Sequence, residues 1–566
     1  MTFANPIFTR TMNPQTHPVY FKWLYILIGI AVLVNFSGLF ITIIGPDGTF
    51  YAGIAKTMVL RHDYVNLYAQ GKEFLDKPHF PFWITALFFE VFGFQTWAYK
   101  LPGILFLMMG TVYTYRFAKS LYNQEMALWS VLILLTAEHI IISNNDVRAE
   151  PYLTGLIIAS IYHLYRAYTR NNYWQLLWGC VFAALSIMTK GMFAIIPIGG
   201  AIAGHLIITK QWQQLFHWRW LLAIVLTVLF ILPEIYCLYQ QFDLHPEKLV
   251  FDKHNVSGVK FFFWDSQFGR FFNTGPIKGS GDPFFFVHTL AWAFLPWSLL
   301  LFAAIYQSFR KQSKAVNNSQ WYCLCGSLLT FLVFSASKFQ LPYYLNIVFP
   351  LFAIQLAAYL LGIQSGKSKY WVQRVQSVII VLLLAVIVAL QYFFKPQSLA
   401  LPVVVIILAL LILLMSIPKH IGATNIRKTF IRTVITAFVV NLYLNLAFYP
   451  SLLKYQAGSE AAFDINRLNI QNYPVAQTGD AYNFPLDFYI RGKIQTIDPY
   501  GRGPLPLKPF YLFGNKQFVD GLTKKGWHTE PVEQYDNYWI SMLKPQFLHS
   551  ETRWQVLDTA VVVLVK

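Results

Sequence analysis

The chain has 566 residues, 56% of them hydrophobic, 18% aromatic and only 12% charged, with a mean hydropathy of +0.45. Soluble domains carry about twice that charged share, and a chain this apolar folded in water would expose too much nonpolar surface, so the composition excludes a soluble domain and describes a polytopic α-helical membrane protein. The net charge of +18 would suit a nucleic-acid partner, but the basic residues stand in short loops between apolar runs, where they orient a chain in its membrane, and no nucleic acid is expected.

Residues 1–21 read as a short cytoplasmic tail, and the apolar run that follows lacks a small-residue cleavage site, so it reads as a retained first helix. A membrane-crossing helix takes about 20 apolar residues, and about fourteen runs qualify, falling near 22–44, 80–95, 100–118, 126–143, 151–168, 174–190, 192–208, 218–240, 284–306, 320–336, 341–361, 371–394, 398–416 and 429–450. Charge audits that number. The run 80–95 is short and carries Glu90. If it lies at the interface or re-enters, the basic loops all fall inside: Arg116 with Lys119, Arg166 with Arg170, Lys210 with Arg219, Arg310 with Lys311 and Lys314, Lys367 with Lys369 and Arg374, and Lys419 with Arg427, Lys428 and Arg432. About thirteen spans remain on that rule. The polar segments 45–99, 144–150, 241–283 and 337–344, and everything after 450, then share the outer face of the cell membrane. Cys180, Cys237, Cys323 and Cys325 lie in or beside apolar runs and read as small buried hydrophobes.

Residues 451–566 differ in kind. Glycine, proline, asparagine and charge rise, and short β-like runs appear at Phe488–Ile490, Gln495–Ile497, Phe510–Phe513, Tyr538–Ser541 and Val561–Val565. This reads as a small extracytoplasmic α/β domain without a nucleophile elbow, phosphate loop or metal cluster.

Four polar stretches can carry chemistry. Asp47 follows a helix-breaking Gly-Pro at the start of an amphipathic helix over 48–61. It is either an N-cap or a carboxylate facing a water-filled cavity. Asp76-Lys77-Pro78 lies among aromatics, and its lysine either snorkels to the headgroups or pairs with a phosphate. The run Asn144–Pro151 holds Asp146, Arg148 and Glu150, a costly set if it lay in lipid. The loop 241–283 offers Arg270, a fixed fork for phosphate or carboxylate, on a glycine-bearing stretch that suits a lid. Lys338, Tyr343 and Tyr344 open the run after it, where tyrosines also serve as interfacial belt residues.

The run PDGTFYAGIAK…FLDKPHFPFW resembles the first outer loop of the GT-C glycosyltransferases. The branch it resembles holds the protein O-mannosyltransferases and the bacterial lipid A aminoarabinose transferases, family 39/83 in type. The matching residues are Asp47, Asp76-Lys77-Pro78 and Trp83, then Glu150-Pro151, then Gln267, Arg270 and Pro296-Trp297, and last Lys338, Leu341, Pro342 and Tyr344. The resemblance covers roughly 20–450 and agrees with the thirteen-span layout. One departure stands out: the aminoarabinose branch has D-E-x-R-Y where this chain has Asp47-Gly48-Thr49-Phe50-Tyr51, without the arginine.

The resemblance implies the GT-C fold over 22–450 and a polyprenyl-phosphate sugar donor, with a lipid, glycan or protein acceptor at the membrane. It implies inverting transfer with Asp47 as general base. Lys77, Arg270, Lys338 and Tyr344 would hold the donor phosphate. Glu150 and Asp146 join Asp47 in the catalytic set, Asp76, Arg148, Tyr51 and Gln267 support it, and Arg148 is expected to hold Glu150. No metal ligand is assigned and no cofactor is expected, although a divalent cation between Asp47 and Glu150 stays open. A polyprenyl-linked lipid transporter or flippase is the alternative.

Overall fold

The computed structural model describes residues 18–309, 318–397, 401–420, 424–478, 483–497 and 505–566. The expected tail as far as residue 17 and the basic stretch Arg310–Lys314 lie outside the described residues.

Among the described residues, Pro18–Phe36, Trp212–Asp243, Pro342–Gly362, Gly366–Phe394 and Asn425–Tyr455 are the 5 helices long and apolar enough to cross a membrane. The pair Gln124–Thr136 and Glu138–Asn145, bent by 51°, makes a sixth if taken as one span. Most other expected runs are also helical, including Thr96–Leu121, Glu150–Thr169, Tyr173–Lys190, Ile195–Ile208 and Gln320–Ala336. Several carry buried polar residues such as Lys100, Thr114, Thr154 and Ser160. These face neighbouring helices rather than lipid, which lowers the hydropathy of a helix without exposing it. The run 284–306 proves to be two helices, Phe285–Ala293 and Ser298–Phe309, separated at Pro296, whose ring cannot continue a helix. The run 80–95 forms a helix of 13 residues, Phe80–Phe92, about 20 Å long against a hydrocarbon core of about 30 Å.

One close approach joins two helices of the bundle. The helices Thr96–Leu121 and Glu150–Thr169 meet at Gly110 and Gly155, where a Cβ on Gly110 would stand 2.8 Å from the Gly155 Cα. Small residues at such a crossing let two backbones pack directly. The same Thr96–Leu121 helix then ties down two turns. The Tyr99 hydroxyl donates to the Val147 carbonyl at 2.6 Å, and buried Lys100 donates to the carbonyls of Gly38 at 3.0 Å and Ile41 at 2.6 Å. Those turns lead into the segments that carry Arg148 and Asp47.

The segment 62–79 holds a short antiparallel hairpin, β1 (Tyr68–Ala69) with β2 (Lys72–Glu73). Beyond residue 450 a 5-stranded sheet has the order β4-β3-β5-β7-β6, from β3 (Val475–Thr478), β4 (Ile494–Ile497), β5 (Phe510–Asn515), β6 (Thr529–Asn537) and β7 (Asp558–Val565). β3 runs parallel to β4 and β5, whereas β7 pairs antiparallel with β5 and β6. One face packs Tyr511, Phe513 and Val562 under the helix Ala457–Leu468, and the other packs Leu512, Val561 and Val563 against Val519 and Leu522 of the helix Lys516–Lys524. Burial on both faces explains why the central strands read as unbroken apolar runs.

Two expected strands are corrected. Phe488–Ile490 belongs to the end of a helix, Phe484–Tyr489, started by the Asn483 side chain accepting from the Leu486 N–H and by Pro485 in its first turn. Tyr538–Ser541 is a turn after β6, with the Tyr538 hydroxyl donating to the Met542 carbonyl at 2.7 Å.

That short helix docks the C-terminal domain on the amphipathic helix expected after Gly45-Pro46, which runs Pro46–Arg61. Lys56, buried there, donates to the carbonyls of Asp487 at 3.0 Å, Phe488 at 3.0 Å and Ile490 at 2.9 Å. Burial lowers the Lys56 pKa from 10.5 to about 8, with Asp487 opposing the shift. The unfolded chain therefore binds the extra proton between pH 8 and 10.5, and stability should rise with pH across that window. At 1.36 kcal/mol per unit the gain is about 3 kcal/mol. The difference in unfolding free energy between wild type and Lys56→Met, measured across the same window, should grow by about that amount; a flat difference would refute it.

Candidate active site

The helix Pro46–Arg61 begins at Gly45, whose φ of 79° and lack of a side chain make it the N-cap, with Pro46 in the first turn. Asp47 is therefore not the cap. It sits in the first turn, where a carboxylate suits the helix dipole, and its side chain is 51% exposed. Arg148 NH1 donates to Asp47 Oδ2 at 2.6 Å, while its Nε and NH2 reach Asp146 Oδ2 at 2.9 and 2.6 Å. The guanidinium lies 4.3 Å from the Tyr343 ring centroid and also contacts the Tyr343 hydroxyl. Burial opposes the charge on Arg148, but Asp146, Tyr343 and Asp47 more than offset it and its pKa is raised. Burial pushes the Asp146 carboxyl up, against the pull of Arg148.

Glu150 is placed differently from the expectation. It pairs with Lys190, at the end of the helix Tyr173–Lys190, and not with Arg148. The reason is local geometry. Glu150 opens the helix Glu150–Thr169 and is 1% exposed, pointing into the bundle, while Arg148 in the preceding turn points out to Asp47. Lys190 also lies 3.8 Å from the Tyr344 ring centroid. Lys190→Met leaves a buried carboxylate unpaired and should cost about 3–5 kcal/mol, whereas Lys190→Met with Glu150→Leu should recover most of it; thermal unfolding in detergent checks both.

Asp76 contacts both Lys77 and Arg270. Arg270 comes from the short helix Phe268–Phe272, and burial lowers its pKa. Lys77, Arg270 and Tyr51 all lie within electrostatic reach of the Tyr344 hydroxyl, so these four residues meet. Gln267 packs against Gly191, where a Cβ would come within 2.2 Å of its Nε2, and Gly191 has a φ of 103°. No other residue fits there without strain.

Two cavities converge on this set. One is lined by Leu153, Phe193, Phe334, Phe339 and Ile347, with Lys190, Gln267, Arg270 and Tyr344 at its polar end. The other is lined by Tyr51, Phe82, Tyr99 and Tyr152 together with Lys77 and Arg148. An apolar cleft ending in cations can hold a lipid tail and its charged head, and Asp47 is tied to the second cavity through Arg148, which lines it.

Lys338 does not join them. It is exposed, its backbone N–H bonds the Phe271 carbonyl, and it lines neither cavity. Lys190 supplies the cation at the cleft instead. Its pairing is not legible from residue order, because its partner Glu150 lies 40 positions away. Phe50, at the position of the missing arginine, packs against Phe74 at 5.5 Å and Phe484 of the C-terminal domain at 4.8 Å.

The family model described as dolichyl-phosphate-mannose-protein mannosyltransferase matches residues 76–236. The undecaprenyl phosphate-alpha-4-amino-4-deoxy-L-arabinose arabinosyl transferase of Pseudomonas aeruginosa is 26% identical over 333 residues, covering 57% of this chain and 56% of that protein. An uncharacterized protein of Aquifex aeolicus is 24% identical over 343 residues, covering 60% of this chain and 64% of that one. The chain thus spans 56% to 64% of the length of these relatives. The crystal structure of ArnT from Cupriavidus metallidurans bound to undecaprenyl phosphate superposes with a TM-score of 0.73 at 16% identity, covering 96% of this chain and 98% of that one. The apo form of the same protein gives 0.70. The fold of this chain is therefore similar to that of ArnT along nearly the whole length of both chains.

Proposed function

We propose that the chain is an integral-membrane glycosyltransferase that moves a sugar from a polyprenyl-phosphate donor to a lipid, glycan or protein acceptor on the extracytoplasmic face. The observation that carries this reading is that Lys77 and Arg270, both on Asp76, meet Tyr344, with Arg270 and Tyr344 at the polar end of an apolar cleft and the Asp47 carboxylate paired to Arg148, which lines the adjoining cavity with Lys77. The polyprenyl tail stays in the apolar cleft or the lipid beside it. The phosphate meets Lys77 and Arg270, displacing Asp76 from one or both.

The acceptor hydroxyl attacks the anomeric carbon from the face opposite the phosphate. Its proton goes to Asp47, held in place by Arg148. The bond from the anomeric carbon to the phosphate oxygen breaks, and polyprenyl phosphate leaves with its new charge stabilised by the two cations and the Tyr344 hydroxyl. One displacement inverts the anomeric centre.

No step runs through a divalent cation. Asp47 and Glu150 face separate basic partners and not each other, and among the described residues no group of three or more His, Cys, Asp and Glu side chains converges. That donor set does not fit a metal. The layout of about thirteen spans with the site outside is part of the same reading, supported by the distribution of basic loops.

The test is to reconstitute the protein with a polyprenyl-phosphate sugar and envelope extract. Sugar should enter an acceptor fraction as free polyprenyl phosphate appears in equal amount. Movement of the intact donor across the bilayer without release of polyprenyl phosphate would instead establish the transporter reading.

A further inference from the structure

The helix Arg219–Leu238 carries Glu234, wholly buried within an apolar span and unused by the proposed chemistry. A carboxylate in such a place is costly unless it is paired, and here both oxygens hold one residue. Oε2 accepts from the His79 backbone N–H at 3.0 Å, and Oε1 lies 3.0 Å from His79 Nδ1. His79 is also wholly buried, and its Nε2 lies 2.9 Å from the Val65 carbonyl oxygen. A carbonyl only accepts, so Nε2 carries a proton, while Nδ1 and Oε1 share one more.

The same helix grips the segment again two turns on. Gln241 Oε1 accepts from the Leu67 N–H at 2.9 Å, and its Nε2 donates to the Leu67 carbonyl at 2.8 Å and to Glu73 Oε2 at 2.7 Å. Lys248 adds an ion pair to Glu73 at 3.1 Å. The segment bearing Asp76 and Lys77 is therefore stretched between fixed points on one membrane helix and its extension, and Lys77 stands two residues from the Glu234–His79 clamp.

We propose that Glu234 is a positioning residue for the phosphate-binding lysine: through His79 it fixes the backbone from which Lys77 reaches the donor phosphate. Lysine has a flexible four-carbon stem, so its reach is set by where its backbone is held, and a displacement of about 1 Å at a reacting centre can cost about a hundredfold. The proposal rests on the reading of Lys77 under Proposed function.

The test measures affinity for undecaprenyl phosphate, with the full chain in nanodiscs. Lys77→Ala comes first: unchanged affinity there overturns the reading of Lys77, and the positioning role with it. With that reading intact, Glu234→Ala should weaken binding by about tenfold or more. Glu234→Gln should stay within about threefold of wild type, because a carboxamide accepts from the His79 N–H and donates to Nδ1 of a neutral ring. In the Lys77→Ala background, Glu234→Ala should add less than about twofold, since the clamp acts through the lysine. Wild-type affinity in Glu234→Ala, an equal loss in both backgrounds, or a Gln variant as weak as the Ala variant overturns the proposal. If Glu234→Ala does not fold, His79→Phe keeps the volume and the backbone bond but removes the ring bonds. It should show the same loss confined to the Lys77 background, and unchanged binding overturns the proposal.

Discussion

Asp47→Asn should lower the transfer rate by about 10²–10⁴-fold, the range for loss of a general base, while affinity for undecaprenyl phosphate stays within about twofold of wild type. The separation follows from position. Asp47 pairs with Arg148, whereas the phosphate cations gather around Asp76. Arg148 keeps two bonds to Asp146 in the variant, so the turn holding it should remain in place. Release of polyprenyl phosphate from the labelled donor, measured beside equilibrium binding, reads both quantities. A variant that turns over at the wild-type rate would remove Asp47 from the chemistry. One that loses binding and turnover together would make it a donor ligand instead.

Lys77→Ala and Arg270→Ala should each reduce turnover by about 10²–10³-fold, the cost of removing one donor aimed at developing charge. Both should weaken binding of the phosphate as well, because the charge is present before and after transfer. The two losses should not add. Both cations share Asp76, and groups sharing a partner couple. With one removed, Asp76 is left to compete for the other. Lys77→Arg should recover only part of the rate, because a planar fork does not occupy the place of a compact ammonium. Kinetics on the single and double variants, with donor concentration varied, test this directly, and strict additivity would contradict the shared role of Asp76.

Much of this arrangement was legible from residue order. The helix after Gly45-Pro46, the short Phe80–Phe92 segment and the three C-terminal strands near Gln495, Phe510 and Val561 follow from local rules of capping, length and apolar pattern. Those rules act over a few residues and need no partner. The expected meeting of Lys77, Arg270 and Tyr344 came from resemblance, and the cavities supply its geometry. The expectations that changed depend on partners far along the chain. Glu150 turned to Lys190 because a helix start directs its side chain inward, and Lys338 stayed outside because its turn bonds the Phe271 and Gly281 backbones. Tyr538–Ser541 has strand-like residues, but β6 ends before it.

By itself, the sequence determined that this is a membrane protein of many apolar helices followed by a terminal α/β region, because hydropathy and strand patterning are properties of neighbouring residues. It also determined which carboxylates and cations were available. Only the tertiary structure decided how they pair: Asp47 with Arg148, Glu150 with Lys190, and Asp76 between Lys77 and Arg270. The same holds for Glu234, which in the fold grips His79 across 155 positions. Pairing of buried charge is set by which helices cross and where their ends fall, and the pattern along one chain segment does not contain that information.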